Sequence, residues 1–301
     1  MQDWNLDERQ RNSLKYFIDH ATDWRRRAEA DGRRRVSTIL QRNTHAIALV
    51  KTNPERYKTA LDLGCGTGEL VMDLARLGVK SYGIDYSEKM IELAIEKAER
   101  LKLSARCTFA VDSVMDHEFV NQRFDVVTAF GFIEYLRPEE LPAFFAKCRQ
   151  LVNDGGMLLL GSRNRLFNVL SLNQFTKAEI GAGTINTLLQ EAVDLVAAES
   201  FADFVNIAIN DTTATGVLNE YPQTDVAVAG YQYTPSELIR LLDQASFKIT
   251  AVSPVHFHAL VPAIARENAE LHAQFSNTIH EQYRGEYRLV PQSSTYILYA
   301  E

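Results

Sequence analysis

Residues 61–70 read Leu61-Asp62-Leu63-Gly64-Cys65-Gly66-Thr67-Gly68-Glu69-Leu70, a short apolar strand that runs into three alternating glycines. A helical pattern begins directly behind them. Glycine lets the backbone turn sharply and approach a ligand with no Cβ in the way. The start of the following helix offers unpaired N–H groups and the positive end of the helix dipole. The stretch therefore predicts a binding loop for a small anionic or zwitterionic ligand.

The spacing of the three glycines bears on the class of ligand. Dinucleotide sites usually read G-x-G-x-x-G, whereas here the third glycine, Gly68, comes one residue earlier. An acidic residue, Asp62, stands two positions before the first glycine. A nucleotide-binding loop can look much the same, so the glycines alone do not decide which ligand binds.

Three further predicted strands also end in residues suited to binding a ligand. They cover 80–84, 106–111 and 124–129, and they end in Asp85, in Asp112 and Ser113, and in Phe130-Gly131-Phe132-Ile133-Glu134-Tyr135. The carboxylate of Asp85 suits the two hydroxyls of a ribose. Strand ends of this kind, separated by helical patterns, are typical of the ligand crevice of a doubly wound α/β sheet.

With these elements the chain resembles the class I S-adenosylmethionine-dependent methyltransferases. The matching elements are the loop from Asp62 to Gly68, the segment Asp85-Tyr86-Ser87-Glu88-Lys89-Met90-Ile91, the step Val111-Asp112-Ser113 and the strand Phe124-Asp125-Val126-Val127. The resemblance covers about 57–161 and, more loosely, 231–301. It implies an α/β fold with a doubly wound, seven-stranded Rossmann-like sheet, and S-adenosyl-L-methionine as the cofactor.

The resemblance also implies which residues hold that cofactor. The glycine loop would bind the methionine carboxylate, Asp85 the ribose, and Asp112 the adenine amino group, with Tyr86 and Met90 beside the adenine ring. Asp112 could instead cap a turn, and Met90 could be ordinary core. The complete set of expected cofactor-binding residues is Asp62, Gly64, Cys65, Gly66, Gly68, Asp85, Tyr86, Met90, Asp112, Ser113 and Phe130.

The composition excludes several classes of partner. The 301 residues carry 39 acidic and 32 basic side chains, a net charge of −7, so a broad basic surface for nucleic acid is not expected. The three cysteines are few and far apart, which favours reduced thiols. No apolar stretch approaches the ~20 residues that span a bilayer, and the first residues lack a secretory pattern. We expect a cytoplasmic protein with no membrane partner; its oligomeric state stays open.

The pattern of helices and strands predicts a core with additions. The expected parts are a helical arm or lid at 1–56, a cofactor-binding core at 57–163, an inserted and partly helical cap over the acceptor site at 164–230, and the C-terminal part of the core sheet at 231–301 with a helical insertion at 259–290. Strands five to seven are expected at 157–160, 247–252 and 295–300. The sequence Thr234-Pro235-Ser236-Glu237 predicts a helix start, with Thr234 as N-cap.

Several residues are candidates for contact with the methyl acceptor. Arg163 and Asn164 follow strand five and either touch substrate or stabilise a turn. Tyr16 and Trp24 lie in the arm, where their rings could shield the cofactor or pack in a core. Six arginines between 25 and 35 form either a solvated surface or a site for an anionic substrate.

The candidate catalytic residues are His256, His258, Glu134 and Tyr135. The family often has histidine after the glutamate that follows strand four, but Tyr135 stands there. His256 and His258 alternate just past strand six, so they would share one face if that strand continues. They could supply a base or an anion contact. No metal is expected, because no third ligand with suitable spacing is visible.

These features predict an enzyme that methylates a small molecule, with O-methylation of a sugar, carboxylate or other anionic metabolite favoured. The alternatives are a protein or RNA methyltransferase, or a cofactor-binding regulatory protein without catalysis. Methyl transfer is an in-line displacement, so the enzyme mainly aligns the two reactants. A base is needed only for a hydroxyl or a protonated amine.

Overall fold

The computed structural model describes residues 6–28, 36–210 and 230–301. These contain seven β-strands: β1 Thr59–Leu63, β2 Lys80–Asp85, β3 Cys107–Val111, β4 Phe124–Ala129, β5 Val152–Arg163, β6 Ile249–Phe257 and β7 Ser293–Ala300. The strands form one sheet in the order β3-β2-β1-β4-β5-β7-β6. The pairs from β3 through β5 are parallel and β6 with β7 is antiparallel. The predicted doubly wound, seven-stranded sheet is confirmed.

Helices connect and flank the strands. In chain order they are α1 Glu8–Asp19, α2 Ala21–Ala28, α3 Thr38–Thr52, α4 Glu69–Arg76, α5 Glu88–Arg100, α6 Leu141–Leu151, α7 Phe167–Ser171, α8 Gln174–Gly181, α9 Ile185–Ala197, α10 Phe201–Asn210, α11 Pro235–Gln244, α12 Pro262–Glu267 and α13 Ala269–Tyr283. Short 3-10 helices cover Ile133–Tyr135, Pro138–Glu140 and Tyr287–Gln292. None of these helices has the length and apolar character needed to cross a bilayer.

The described residues divide into two compact units. Unit 1 contains 6–28, 43–160 and 230–231, and unit 2 contains 36–42, 161–210 and 232–301. The boundaries between the units fall within α3 and within β5, whereas the predicted boundaries lie after residues 56 and 163. The predicted role of the segment 164–230 as a cap over the acceptor site stays a prediction, and 211–229 lies outside the described residues.

Unit 1 is built around the parallel strands. β1 and β4 are almost wholly buried, as expected of central strands covered on both faces. Helix α4 turns Leu70, Val71 and Leu74 inward from the residues directly after the glycine loop. Helix α5 starts at the N-cap Ser87 and buries Met90. The parallel pairing of β1 with β2 places the carboxyl ends of both strands side by side at one edge of the sheet.

Unit 2 contains the antiparallel pair β6 and β7 with helices. Helix α11 begins as predicted: the Thr234 side chain accepts a hydrogen bond from the backbone N–H of Glu237, and the Glu237 side chain accepts one from the backbone N–H of Thr234. Strand β6 runs to Phe257, so it includes His256. The strand therefore continues beyond the predicted end at 252.

Strand β5 is longer than the predicted 157–160. It also contains the turn-forming segment Asn153-Asp154-Gly155-Gly156. The pairing with β4 shifts there, since Phe124 pairs with Val152 and Val126 pairs with Met157. The turn-forming residues thus form a bulge within the strand. The sequence pattern does not distinguish such a bulge from a turn.

Candidate active site

The glycine loop of unit 1 is held by the end of β2. The N–H groups of Gly64 and Cys65 both donate to the carbonyl of Ile84, at 2.9 and 3.0 Å. The N–H of Gly66 donates to Oδ2 of Asp85 at 3.0 Å. These N–H groups were expected to bind the cofactor carboxylate, but here they brace the loop. Binding of the cofactor carboxylate by the loop stays a prediction.

Gly64 illustrates why the loop needs glycine. Its φ is +73°, in the left-handed region. A Cβ at this position would lie 2.7 Å from Cδ2 of Phe132, far inside ordinary contact. The loop backbone therefore lies directly against the residues that follow β4.

We expect Gly64→Ala to weaken cofactor binding at least tenfold. Left-handed backbone costs a residue with a Cβ about 1–2 kcal/mol, and the contact with Phe132 adds to this cost. Gly183→Ala is the matched control, because Gly183 also has a φ of +73° but nothing lies within 4 Å of its Cβ position. Calorimetric titration of both variants shows whether the loss of affinity is specific to the glycine loop. Equal affinities in the two variants would contradict the close approach at Gly64.

Asp85 stands at the centre of this edge of the sheet. Besides the Gly66 contact, its Oδ1 accepts a hydrogen bond from the N–H of Ser87 at 2.9 Å. Burial raises the pKa of Asp85 to about 6, although both N–H groups act to lower it. A carboxylate has about four lone-pair positions, so acceptor capacity remains for ligand hydroxyls.

Asp112, at the end of β3, forms a pair with a histidine that the sequence analysis missed. Its Oδ2 lies 2.7 Å from Nδ1 of His117, and its Oδ1 accepts from the N–H of Ser113 at 2.8 Å. Nε2 of His117 lies 3.4 Å from the hydroxyl of Tyr82. The turn-capping alternative for Asp112 is thus observed, and its contact with the adenine amino group stays a prediction. Only the five-residue spacing could have indicated the pair.

The other expected cofactor residues have varied environments. Asp62 is buried in β1 and accepts from the hydroxyl of Thr128 at 2.7 Å. Met90 and Phe130 are buried, whereas Tyr86 is half-buried. Burial raises the pKa of Tyr86, and the charge of Asp85 raises it further.

Cys65 is buried within the loop. Burial raises the pKa of its thiol well above the ordinary value, and the charges of Asp85 and Asp62 raise it further. The thiolate is the nucleophilic form of cysteine. Its surroundings therefore favour the neutral thiol.

The N-terminal arm places aromatic rings beside the loop. The Nε1 atom of Trp24 lies 3.8 Å from the Cβ position of Gly66. Phe17 contacts both Trp24 and Tyr135 edge to face, with ring centroids 5.6 and 5.4 Å apart. Tyr16 stacks on His20 at 4.4 Å. Contact of Tyr16 and Trp24 with a substrate stays a prediction.

Arg9 is a second residue that the sequence analysis missed. Its guanidinium lies 4.2 Å from the centre of the Tyr231 ring, and Nη2 donates to the carbonyl of Tyr135 at 3.4 Å. Nη1 is buried without a hydrogen-bond partner in the described structure. The positive charge of Arg9 also acts on Tyr86, whose pKa it lowers against the larger effect of burial. No sequence motif includes Arg9, because the arm lies outside the motifs of the cofactor-binding core.

Glu134 and Tyr135 lie in the 3-10 helix after β4. Glu134 is buried, and its carbonyl accepts from the N–H of Tyr231 at 2.9 Å. Their catalytic role stays a prediction.

Of the arginines between 25 and 35, Arg25 lies 3.8 Å from Glu96 and Arg26 pairs with Asp23 on the surface. Residues 29–35 lie outside the described residues.

The remaining candidates belong to unit 2. Asn164 is buried, and its amide donates to the carbonyls of Val290 and Ser293 at 2.7 and 2.8 Å. These bonds fit the structural alternative for Asn164, and substrate contact by Arg163 stays a prediction.

His256 and His258 do share one face, with ring centroids 4.3 Å apart. Burial lowers the pKa of His256 well below the ordinary value and that of His258 to about 4.

Comparisons with known proteins agree with this arrangement. Residues 60–156 match the model of a methyltransferase domain family. A ubiquinone biosynthesis O-methyltransferase of Rhodopseudomonas palustris (strain BisB5) is 35% identical over 114 residues, which are 37% of this chain and 42% of that protein. The chain thus matches less than half the length of this relative.

Solved structures extend the similarity in fold to nearly the whole chain. The magnesium protoporphyrin IX methyltransferase of Synechocystis PCC 6803, solved with bound SAH, has a TM-score of 0.54 and 17% identity, covering 97% of this chain and 99% of that one. The cyclase SpnF has a TM-score of 0.57 and 15% identity, covering 98% and 97%. Residues 60–156 therefore belong to a methyltransferase domain family, and the chain shares its fold with a methyltransferase solved with bound SAH.

Proposed function

We propose that this protein transfers a methyl group from S-adenosylmethionine to a small-molecule acceptor, with an oxygen atom favoured. The observation that carries the proposal is the group of acceptors at the ends of β1 to β3 around the braced glycine loop. The backbone of the loop packs closely on Phe132, where a Cβ at Gly64 would lie 2.7 Å from Cδ2. Asp85 and Asp112 present carboxylates at neighbouring strand ends, as a ribose and an amino group require.

Within this proposal Arg9 binds an anionic group of the cofactor or the acceptor. The braced loop has few N–H donors left, whereas Nη1 of Arg9 is buried and makes no hydrogen bond to described protein groups. Guanidinium groups form strong, charge-assisted hydrogen bonds with carboxylates. The aromatic side chains Phe17 and Trp24 on the same arm would exclude water from the sulfonium.

The residues of unit 1 suit a mechanism in which the enzyme mainly aligns the methyl donor with the acceptor. Methyl transfer from a sulfonium requires the acceptor atom in line with the breaking S–C bond, and holding both reactants there can supply ~7–11 kcal/mol in favourable cases. The surroundings of Cys65 favour the neutral thiol, which is a poor competitor for the methyl group. If the acceptor is a hydroxyl, Glu134, Tyr135, His256 and His258 are the candidates for the base.

The relatives named as O-methyltransferases support an oxygen acceptor. A protein or RNA acceptor, and a regulatory role without catalysis, are the rival functions. The similarity to a cyclase shows that the fold by itself does not determine the reaction.

A product assay tests the proposal. The purified protein is incubated with S-adenosylmethionine carrying a deuterated methyl group and with separate pools of metabolites, protein and RNA. We expect the label to appear in a small molecule, identified by mass spectrometry, together with S-adenosylhomocysteine. Label found only in protein or RNA would favour the rival acceptor, and no label in any pool would contradict methyl transfer.

A further inference from the structure

Three histidines of unit 2 come together although they are dispersed in the sequence. His256 and His258 lie on β6 or just past it, and His272 lies on α13. One ligand atom from each imidazole lies within 4.8 Å of the others. Nε2 of His256 is 3.0 Å from Nε2 of His272. Among the described residues, no carboxylate or thiolate joins this group.

The backbone at His256 is held in an uncommon conformation. Its φ is +56°, in the left-handed region, and its N–H donates to Oε1 of Gln41 at 2.8 Å. A side chain with a Cβ pays about 1–2 kcal/mol for this conformation. Such strain persists only where surrounding contacts impose it, and it is concentrated at functional sites.

Polar atoms of the cluster are buried without a good hydrogen bond. Both ring nitrogens of His258 and Nδ1 of His272 form no hydrogen bond that meets the distance and angle limits with any described residue. The backbone of Leu260 lies beside the His258 ring. Leaving a buried polar group unsatisfied costs about 1–3 kcal/mol. Coordination of an ion would satisfy one nitrogen of His258, which has no hydrogen bond among the described residues.

The outer contacts of His256 favour ligation through the other nitrogen. Nδ1 lies 3.0 Å from Oγ of Ser294 and 3.4 Å from Oγ1 of Thr38. A hydrogen bond from Nδ1–H to a hydroxyl fixes the tautomer in which Nε2 carries a lone pair. That nitrogen is the one that faces His272.

We propose that His256, His258 and His272 form a binding site for a divalent transition metal ion, with zinc as the best fit. Zinc bound to imidazole nitrogens at about 2.0–2.1 Å in a tetrahedron places two such nitrogens about 3.3 Å apart, close to the 3.0 Å between His256 and His272. Three histidine ligands leave a fourth position for water or an anionic ligand. The site links β6 with α13 inside unit 2.

Metal binding and base catalysis by these histidines exclude each other. A ring nitrogen bound to a metal cannot also accept a proton from an acceptor hydroxyl, since both need the same lone pair. The third ligand was not expected from sequence, because His272 is 16 residues from His256 on a different element. The proposal does not depend on methyl transfer.

Metal titration of the full chain tests the site. The protein is first treated with a chelator, then titrated with CoCl₂ while visible absorbance is recorded, and with ZnCl₂ in a calorimeter. We expect one metal ion per chain and the intense visible bands of four-coordinate cobalt, removed by competing zinc. Absence of both the bands and the heat of binding would overturn the proposal.

Substitutions assign the binding to these residues. His272→Gln and His258→Gln are each expected to lower zinc affinity at least ~100-fold. Loss of a residue that only hydrogen-bonds to a metal ligand typically lowers the affinity about 10–100-fold, so loss of a ligand itself should cost more. His280→Gln is the matched control, because His280 is also buried on α13 but lies outside the cluster. Circular dichroism checks that the variants fold. Unchanged affinity in both cluster variants, or an equal loss in the control, would overturn the assignment.

Discussion

Asp85→Asn is expected to lower the affinity for S-adenosylmethionine by about 10²–10⁴-fold. The carboxylate already accepts hydrogen bonds from the N–H groups of Gly66 and Ser87, and in our proposal it also accepts both ribose hydroxyls. Each hydrogen bond to a charged group contributes about 1.5–3 kcal/mol. Two of them account for the expected change in binding free energy. Asparagine keeps the shape of the side chain but removes the charge and one acceptor.

The pH dependence of binding adds a second readout for Asp85. Burial raises the pKa of Asp85 to about 6 in the folded protein, compared with the ordinary 3.8. The deprotonated form is the better acceptor, so cofactor affinity should rise as the pH increases through about 6. The contribution of this group to stability has the opposite direction. It is present below pH 3.8 and is lost as the pH rises through about 6.

Calorimetry between pH 5 and 8 measures both effects. The matched control is Asp154→Asn, because the side chain of Asp154 is 92% exposed. We expect the control to bind normally with the same pH dependence as the unmodified protein. An Asp85→Asn variant that is folded and binds with unchanged affinity would show that β2 does not contribute the ribose contact.

Arg165→Met is expected to destabilise unit 2 by about 3–5 kcal/mol, the cost of breaking a buried ion pair by removing one partner. The side chain of Arg165 is 1% exposed. Its guanidinium donates to both oxygens of Glu179, at 3.0 and 2.9 Å, and to Oε1 of Glu237 at 3.2 Å. Methionine fills a similar volume but leaves two buried carboxylates without this cation.

The pKa values of the two carboxylates shift in opposite directions, although burial acts to raise both. Burial alone would raise the pKa of Glu179, but hydrogen bonds from Arg165, Thr184 and Asn168 outweigh it and hold the pKa at about 2. Glu237 receives fewer donors, so burial raises its pKa to about 7. Stability from Glu179 is therefore present above pH 4.5 and lost as the pH falls toward 2. The contribution of Glu237 is present below pH 4.5 and lost as the pH rises through about 7.

Urea unfolding measures the change in stability. Arg288→Met is the control, because the Arg288–Glu286 pair is exposed on the surface and such pairs contribute about 0–1 kcal/mol. We expect a large loss of unfolding free energy for Arg165→Met and almost none for the control. Equal midpoints in the two variants would contradict a stabilising role for the buried network.

The sequence predicted those parts of the molecule whose signals are local. The glycine loop, the apolar parallel strands and the N-cap at Thr234 depend on residues close together in the chain, and all three formed where expected. The acidic residues at the ends of β2 and β3 were also found, because parallel strands bring their carboxyl ends to one edge.

Features that depend on tertiary contacts were missed. His272 joins His256 from another element, and Arg9 reaches Tyr135 from the arm. The buried ion pair of Arg165 was also missed, since nothing in the local pattern shows that Glu179 faces it. The N–H groups of Gly64, Cys65 and Gly66 donate to the end of β2, which the glycine pattern did not indicate.

Titration calorimetry with S-adenosylmethionine, S-adenosylhomocysteine and NAD tests the central claim most directly. The glycine spacing, the close approach at Gly64 and the carboxylates of Asp85 and Asp112 predict that both sulfur-containing ligands bind to one site per chain and that NAD does not. Tight binding of NAD without any response to S-adenosylmethionine would contradict the assignment of this site.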